Sequence, residues 1–320
     1  MHTLIFDRHN ISLEYENNCV IIRQPDIGPR SIPLRHVRKV MCVHSVQLST
    51  SLLGQLWQRG IDFICLNNRY SERSFALIPN QQKQVSRRCL QYAWQQHEHL
   101  CMPLAQRLCQ HRLLVTERLP EVRNYPLMVY SLQQARQAMA YSKSLNELRG
   151  MEGAIQRQLF EHWRDLLPKE LGFVKRVRRP PTDPVNGLLS LTYTIAMQEA
   201  IRQCTPAGLD SQLGVYHRVF QGRHSLACDL MEPLRPVCEQ WVVQCFKTGL
   251  LDRRNFSGFG TQGSPCLLGK RGREIYYQAI DSQLRQWQRQ LRAAALWLSR
   301  QLDRGVAGDE QQENLAPDSV

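Results

Sequence analysis

An α+β protein in two parts is what the 320-residue sequence predicts: a small β-rich N-terminal domain over residues 1–80 and a larger all-α domain over 81–305. Three observations predict it. Before Pro79-Asn80 the apolar residues alternate or gather in short β-branched runs. After it they recur every three to four residues, the helical period. Turn clusters punctuate the first part at Glu16-Asn17-Asn18, Asp26-Ile27-Gly28-Pro29 and Asn67-Asn68-Arg69.

Taken in order, the strands are expected at 4–6, 11–15, 20–22, 40–43, 61–66 and 75–78. One short helix interrupts them at 50–59, with Ser49 or Thr50 to cap its start and Gly60 placed to end it. Residues 82–118 read as two helices broken near Pro103. Further helices are expected at 127–142, 146–167, 184–203 and 226–247, the last disturbed by Pro233 and Pro236. The final helix, 273–303, carries an apolar stripe of Ile280, Leu284, Trp287, Leu291, Ala294, Leu298 and Leu302, suited to core packing or a partner helix. The tail 306–320 holds Asp309, Glu310, Glu313 and Asp318 with few large apolar residues, and disorder is expected there.

Composition narrows the function. A hydrophobic fraction of 42% supports a packed core and excludes a mostly disordered polymer. No apolar run approaches the length of roughly 18 residues that crosses a bilayer, so no membrane association is expected. The opening residues lack a basic stretch before an apolar core, so a cytoplasmic location is expected. Eleven scattered cysteines form no CxxC pair; they read as reduced thiols packing as small apolar residues, not as a zinc ribbon or a disulfide scaffold. The net charge of +13 favours polyanionic partners.

Three segments carry chemistry. Ile155, Leu159, Trp163 and Leu167 mark an apolar helix face, and Glu152 falls on or beside it. A carboxylate there must be paired, hydrogen-bonded or bound to a metal, Arg149 being one available partner. The run Lys175-Arg176-Val177-Arg178-Arg179-Pro180-Pro181-Thr182-Asp183-Pro184-Val185-Asn186 is a proline-stiffened basic loop abutting a helix start at Asp183-Pro184. Such a loop suits phosphate groups, through its cations and the free N–H groups of the helix start; a merely solvated loop is the other reading. Third, His217 ends an apolar stretch, and Asp229 and Glu232 stand one helical turn apart. Like charges so placed repel unless a cation sits between them or one is protonated. Glu, His, Asp and Glu converging from separate segments form a mixed N/O ligand set that suits Mg²⁺ or Mn²⁺.

At these residues the sequence resembles a known family, the CRISPR-associated spacer integrases, the first-numbered and most widespread of the Cas proteins. The matching stretches are Glu152-Gly153, the run from Arg179 to Asn186, Gly208-Leu209-Asp210 leading to Leu213-Gly214-Val215-Tyr216-His217, and Ser225-Leu226-Ala227-Cys228-Asp229-Leu230-Met231-Glu232-Pro233-Leu234-Arg235-Pro236. Their order and spacing extend the resemblance over nearly the whole chain. It implies a metal-dependent DNA endonuclease and integrase that inserts short foreign DNA into a repeat array by attack of a 3′-hydroxyl on a phosphodiester. Glu152, His217 and an acidic residue of the Asp229/Glu232 pair are its implied catalytic metal ligands, with Glu232 favoured as the third. The family often has a second Asp where this chain has Glu232. Lys175, Arg176, Arg178, Arg179, Asn186 and Arg223 are the expected DNA-binding residues. The implied partners are double-stranded DNA, a second copy of the chain in a homodimer, and the small second CRISPR-associated protein of the adaptation complex. A nuclease for branched DNA in repair and a non-enzymatic DNA-architectural protein are the rival readings.

Overall fold

In this computed structural model residues 2–313 are described, apart from 26, 68–72, 78–84 and 261–263. The expected boundary at Pro79-Asn80, the turn residues Asn68-Arg69 and the tail end 314–320 lie outside the described residues. The chain divides into two compact units. One collects 1–80, 168–198 and 248–281; the other collects 81–167, 199–247 and the chain from Ser282 onward. Two later stretches thus pack with the N-terminal strands, and the division is not a single cut near residue 80.

The first unit begins with β1 (His2–Phe6), β2 (Ser12–Glu16), β3 (Cys19–Gln24), β4 (Ile27–Pro33), β5 (Val37–Cys42) and β6 (Gln47–Leu48). It continues with α1 (Thr50–Gln58), β7 (Asp62–Cys65) and β8 (Phe75–Leu77). One sheet has the order β1-β5-β7-β8, parallel except for β8; the other has the order β4-β3-β2-β6. Alternation along β2 and β3 buries Leu13, Val20 and Ile22, and these pack with Val40, Phe63 and the α1 residues Leu52 and Leu56 in one core. Ser49 caps α1, its hydroxyl accepting from the Leu52 N–H at 3.3 Å, and Gly60 ends it at φ +66°, a conformation costly for other residues.

The stretch around Gly28-Pro29 was expected to be only a turn; it is part of β4, paired antiparallel with β3 from Cys19↔Pro33 to Gln24↔Ile27. β4 lies at the sheet edge, where only one side of the backbone must be bonded, so a glycine and a proline are tolerated.

The helical elements are α2 (Val85–Gln95), α3 (Glu98–Glu117), α4 (Pro120–Arg123), α5 (Pro126–Ala140), α6 (Leu145–Leu166), α7 (Pro184–Cys204), α8 (Ser225–Met231) and α9 (Arg235–Lys247). A short pair, β9 (Phe256–Ser257) and β10 (Leu267–Leu268), precedes α10 (Lys270–Glu313). The break expected near Pro103 falls instead at Gln96-His97, and α3 runs through Pro103. Pro103 removes one backbone bond near the helix start, while Leu104, Ala105, Leu108, Cys109 and Leu113 bury a face that offsets it. Within the described part of the tail, α10 continues to Glu313. Extending a formed helix costs far less than nucleating one, and no proline interrupts before Pro317. Along α10 the expected stripe is buried, with Ala295 in place of Ala294. Among the described residues no helix is long and apolar enough to cross a membrane.

All eleven cysteines are free thiols. Burial pushes Cys42, Cys245 and Cys266 up to about 12 and Cys101 to about 11, whereas Cys89 is exposed. Native alkylation with iodoacetamide near pH ~8 is therefore expected to mark Cys89 first and to spare Cys42 and Cys245 until the chain unfolds. Peptide mapping checks this; labelling of Cys245 ahead of Cys89 counts against the packing described.

Candidate active site

Ser144 starts α6, its hydroxyl accepting from the Glu147 N–H at 3.2 Å. The helix buries Leu148, Ile155, Leu159 and Trp163, and Glu152 stands in that row with its side chain 22% exposed. On α3 the buried face includes Leu108, Cys109 and Leu113, and among them lies Arg112, its side chain only 4% exposed. Pro233 supplies no N–H, so α8 stops at Met231 and the chain makes a 3₁₀ turn over Glu232–Leu234 before α9 begins. That turn places Glu232 at the site, 3% exposed.

Arg112 joins these elements. Its Nη1 donates to Glu152 Oε1 and, at 2.5 Å, to Glu232 Oε2. Its Nη2 donates to Gln156 Oε1. Gln156 donates in turn to Glu239 Oε1 at 3.0 Å, and Trp163 Nε1 donates to Glu239 Oε2 at 3.2 Å. Glu232 also accepts from Arg235 Nε at 2.7 Å. Burial opposes the charge on Glu232, but Arg235, Arg112 and His217 together outweigh it and hold its pKa at about 2.

Asp229 and Glu232 do not play equivalent parts. Asp229 is fully buried and faces the segment ending at His217. Its Oδ2 accepts from the N–H groups of Val215 at 2.6 Å and Tyr216 at 3.0 Å. Its Oδ1 accepts from the His217 N–H at 2.9 Å and from the ring Nδ1 at 2.7 Å. An ionised carboxylate only accepts, so Nδ1 carries a proton, and Nε2 stands 3.8 Å from Glu232 Oε1. The repulsion expected between the two carboxylates is met by separate cations and donors rather than by one shared ion. Gly214 permits this turn: a Cβ there would lie 2.6 Å from His217 O and 2.9 Å from Asp229 Oδ2.

The family model described as CRISPR associated protein Cas1 matches residues 4–282. The chain belongs to the Cas1 family. It is 31% identical over 314 residues to a CRISPR-associated endonuclease Cas1 of Thermodesulfovibrio yellowstonii, covering 91% of this chain and 93% of that one. Its fold is similar to a casposase bound to an integration product, with a TM-score of 0.83 at 18% identity over 94% of this chain and 90% of that one. It is also similar to part of a Cas6-RT-Cas1–Cas2 complex, with a TM-score of 0.78 at 21% identity over 95% of this chain and 35% of that one. The β-rich start and mostly helical remainder expected from the sequence are those of the Cas1 fold.

In this Cas1-family chain Glu152 and Glu232 share the Arg112 guanidinium, and His217, held by Asp229, stands beside Glu232. Among the described residues no three His, Cys, Asp or Glu side chains are grouped as a ready metal cage, and Arg112 Nη1 lies between the two glutamates. The donor chemistry, two carboxylates and an imidazole nitrogen, suits a hard divalent ion, and the two carboxylates already share a cation.

The expected DNA-binding residues separate into two kinds. Lys175, Arg178, Arg179 and Arg223 are exposed. Asn186 is fully buried: its amide donates to Asp183 Oδ2 at 2.6 Å and Lys175 O at 2.9 Å, while its Oδ1 accepts from the Val177 N–H at 2.9 Å. Arg176 donates to Val177 O, Asn186 Oδ1 and Ser190 Oγ. These two brace the basic loop from within. Asp183 caps α7, accepting from the Asn186 N–H at 2.9 Å, so that donor is already taken.

Sequence reasoning missed Arg112, Gln156, Glu239 and the packing role of Gly214. Arg149, weighed as a partner for Glu152, donates instead to Tyr216 O at 2.5 Å. The available signal was an arginine inside the apolar row Leu104, Leu108, Arg112, Thr116, a charge where the helix face is otherwise uncharged.

Proposed function

We propose that this Cas1-family chain is the metal-dependent DNA integrase of CRISPR adaptation. It joins the 3′-hydroxyl of a short DNA to a phosphodiester of the repeat array. The observation that carries the reading is that Glu232 stands between the other two candidates, sharing Arg112 with Glu152 and lying 3.8 Å from His217 Nε2, while Asp229 holds the imidazole through Nδ1. Glu152, Glu232 and His217 Nε2 would hold a Mg²⁺ or Mn²⁺ ion. Such an ion polarises the phosphodiester and stabilises the charge that develops on it.

The chain's own groups do the rest. Asp229 keeps the His217 ring from rotating, and its four accepted bonds keep the loop in place as DNA arrives. Transesterification replaces one phosphodiester with another, so neither ATP nor a covalent enzyme intermediate is needed. Lys175, Arg178, Arg179 and Arg223 would contact phosphates, which position a duplex without reading its sequence. The working assembly is two homodimers of this chain bridged by the second, small CRISPR-associated protein.

The test is strand transfer from labelled DNA into a repeat-bearing duplex. His217→Ala is expected to lose the Mn²⁺-dependent product by about a hundredfold or more while retaining DNA affinity, which comes from spread-out cations. Near-normal transfer by that variant, or full transfer in excess chelator, overturns the assignment.

A further inference from the structure

We infer that the Arg112 guanidinium is the resident counter-ion of this site, a cation that a divalent metal must displace from Glu152 and Glu232. The inference rests on reading the site as metal-binding and adds a competitor to it.

The placement of Arg112 leaves it little alternative. Its side chain is 4% exposed among Leu108, Cys109 and Leu113, where an unpaired cation would be very costly. Its ion partners Glu152 and Glu232 are the two proposed carboxylate ligands. One nitrogen, Nη1, touches both, at Glu152 Oε1 and Glu232 Oε2. The other Glu232 oxygen accepts from Arg235. Both Glu232 oxygens are therefore engaged by guanidinium groups, and an ion bound between Glu232 and Glu152 takes the place that Arg112 Nη1 occupies. Arg112 is the one that touches both glutamates; Arg235 bonds Glu232 from the side.

The surroundings also provide for the guanidinium after displacement. Its Nη2 is bonded to Gln156, which is bonded to Glu239, and Glu239 is anchored by Trp163. Glu239 is buried and already helps to stabilise the charged form of Arg112. A small retreat toward Glu239 keeps a carboxylate near the cation while the two glutamates turn to the metal. The arrangement holds the acidic residues together in the absence of metal, and it makes loading weaker than the same ligands would give alone.

The test is Mn²⁺ binding to the full chain without DNA, by calorimetry, for wild type, Arg112→Met and Arg112→Lys. Arg112→Met removes the competitor at similar side-chain length and is expected to bind Mn²⁺ at least about tenfold more tightly. Its thermal midpoint should be lowered without metal and rise more than that of wild type when Mn²⁺ is added. Arg112→Lys keeps the charge and is expected to stay within about threefold of wild type; it carries the test if the Met variant does not fold. A purely structural arginine predicts the opposite, weaker binding in both variants, and that result overturns the inference. No Mn²⁺ binding by any of the three chains would instead remove the metal-site reading, and the inference with it.

Discussion

Glu232→Ala is expected to destabilise the helical unit by several kcal/mol as well as to abolish strand transfer, whereas Glu232→Gln loses transfer and keeps the fold. Removing one member of a buried ion pair leaves its partners charged and unpaired, at about 3–5 kcal/mol. Here Arg112 and Arg235 both lose an acceptor, in a place that is 3% exposed. Against an ordinary stability of about 5–15 kcal/mol, that is a large loss. Glutamine keeps one oxygen as acceptor and the side-chain volume, so most of the packing survives. Neither variant supplies an ionised ligand, and transfer should fall by about a thousandfold or more in each.

The pH dependence carries the same signature. The Glu232 pKa is lowered, so its ionised form stabilises the fold at neutral pH. That contribution is lost as pH falls from the ordinary value of 4.5 towards about 2. Denaturant titrations of wild type and Glu232→Gln across this window should converge at the acid end. Robust strand transfer by Glu232→Gln would show that this carboxylate is not a ligand.

Gly214→Ala should be nearly as damaging, although the substitution adds a single methyl group to a residue that holds no substrate. The new Cβ would meet His217 O at 2.6 Å and Asp229 Oδ2 at 2.9 Å. The loop has little room to yield, because the N–H groups of Val215, Tyr216 and His217 are all bound to Asp229. Overpacking of this kind costs about 1–3 kcal/mol. The larger effect is on position: the His217 ring moves away from its Nδ1 contact, and a displacement near 1 Å at a catalytic group lowers rate by about a hundredfold. Strand transfer and denaturation measured together decide it; a Gly214→Ala chain equal to wild type in both would show that the loop relaxes freely.

Much of this protein is legible in its sequence because local physics dominates there. The β-branched run Val20-Ile21-Ile22 and the capped segment from Ser49 to Gly60 form where the pattern places them. The strand across Gly28-Pro29 was hidden because edge position, which excuses both residues, is a tertiary fact. Pro103 misled for a similar reason: the burial of α3 that outweighs it is supplied by other helices. At the site, Glu152 stood out as a carboxylate on an apolar face, and His217 and Glu232 by their resemblance to a known pattern. The different environments of Asp229 and Glu232 follow from Pro233 and the 3₁₀ turn, and spacing alone suggested one shared face. Arg112 was not assigned because its partners lie 40 and 120 positions away along the chain.

That separation has a consequence for the newly made protein. At roughly 5–20 residues per second, the ribosome needs about 6–24 s to proceed from Arg112 to Glu232, a separation of 120 positions. For the last two thirds of it, once Glu152 has been made, the nascent chain has the guanidinium and its first carboxylate partner but not Glu232, and closing so long a loop awaits that residue. An aborted translation product ending before α8 therefore lacks Asp229 and Glu232, and on the proposed reading has no complete ligand set. On that reading the order of synthesis leaves every unfinished chain without the site proposed to act on DNA.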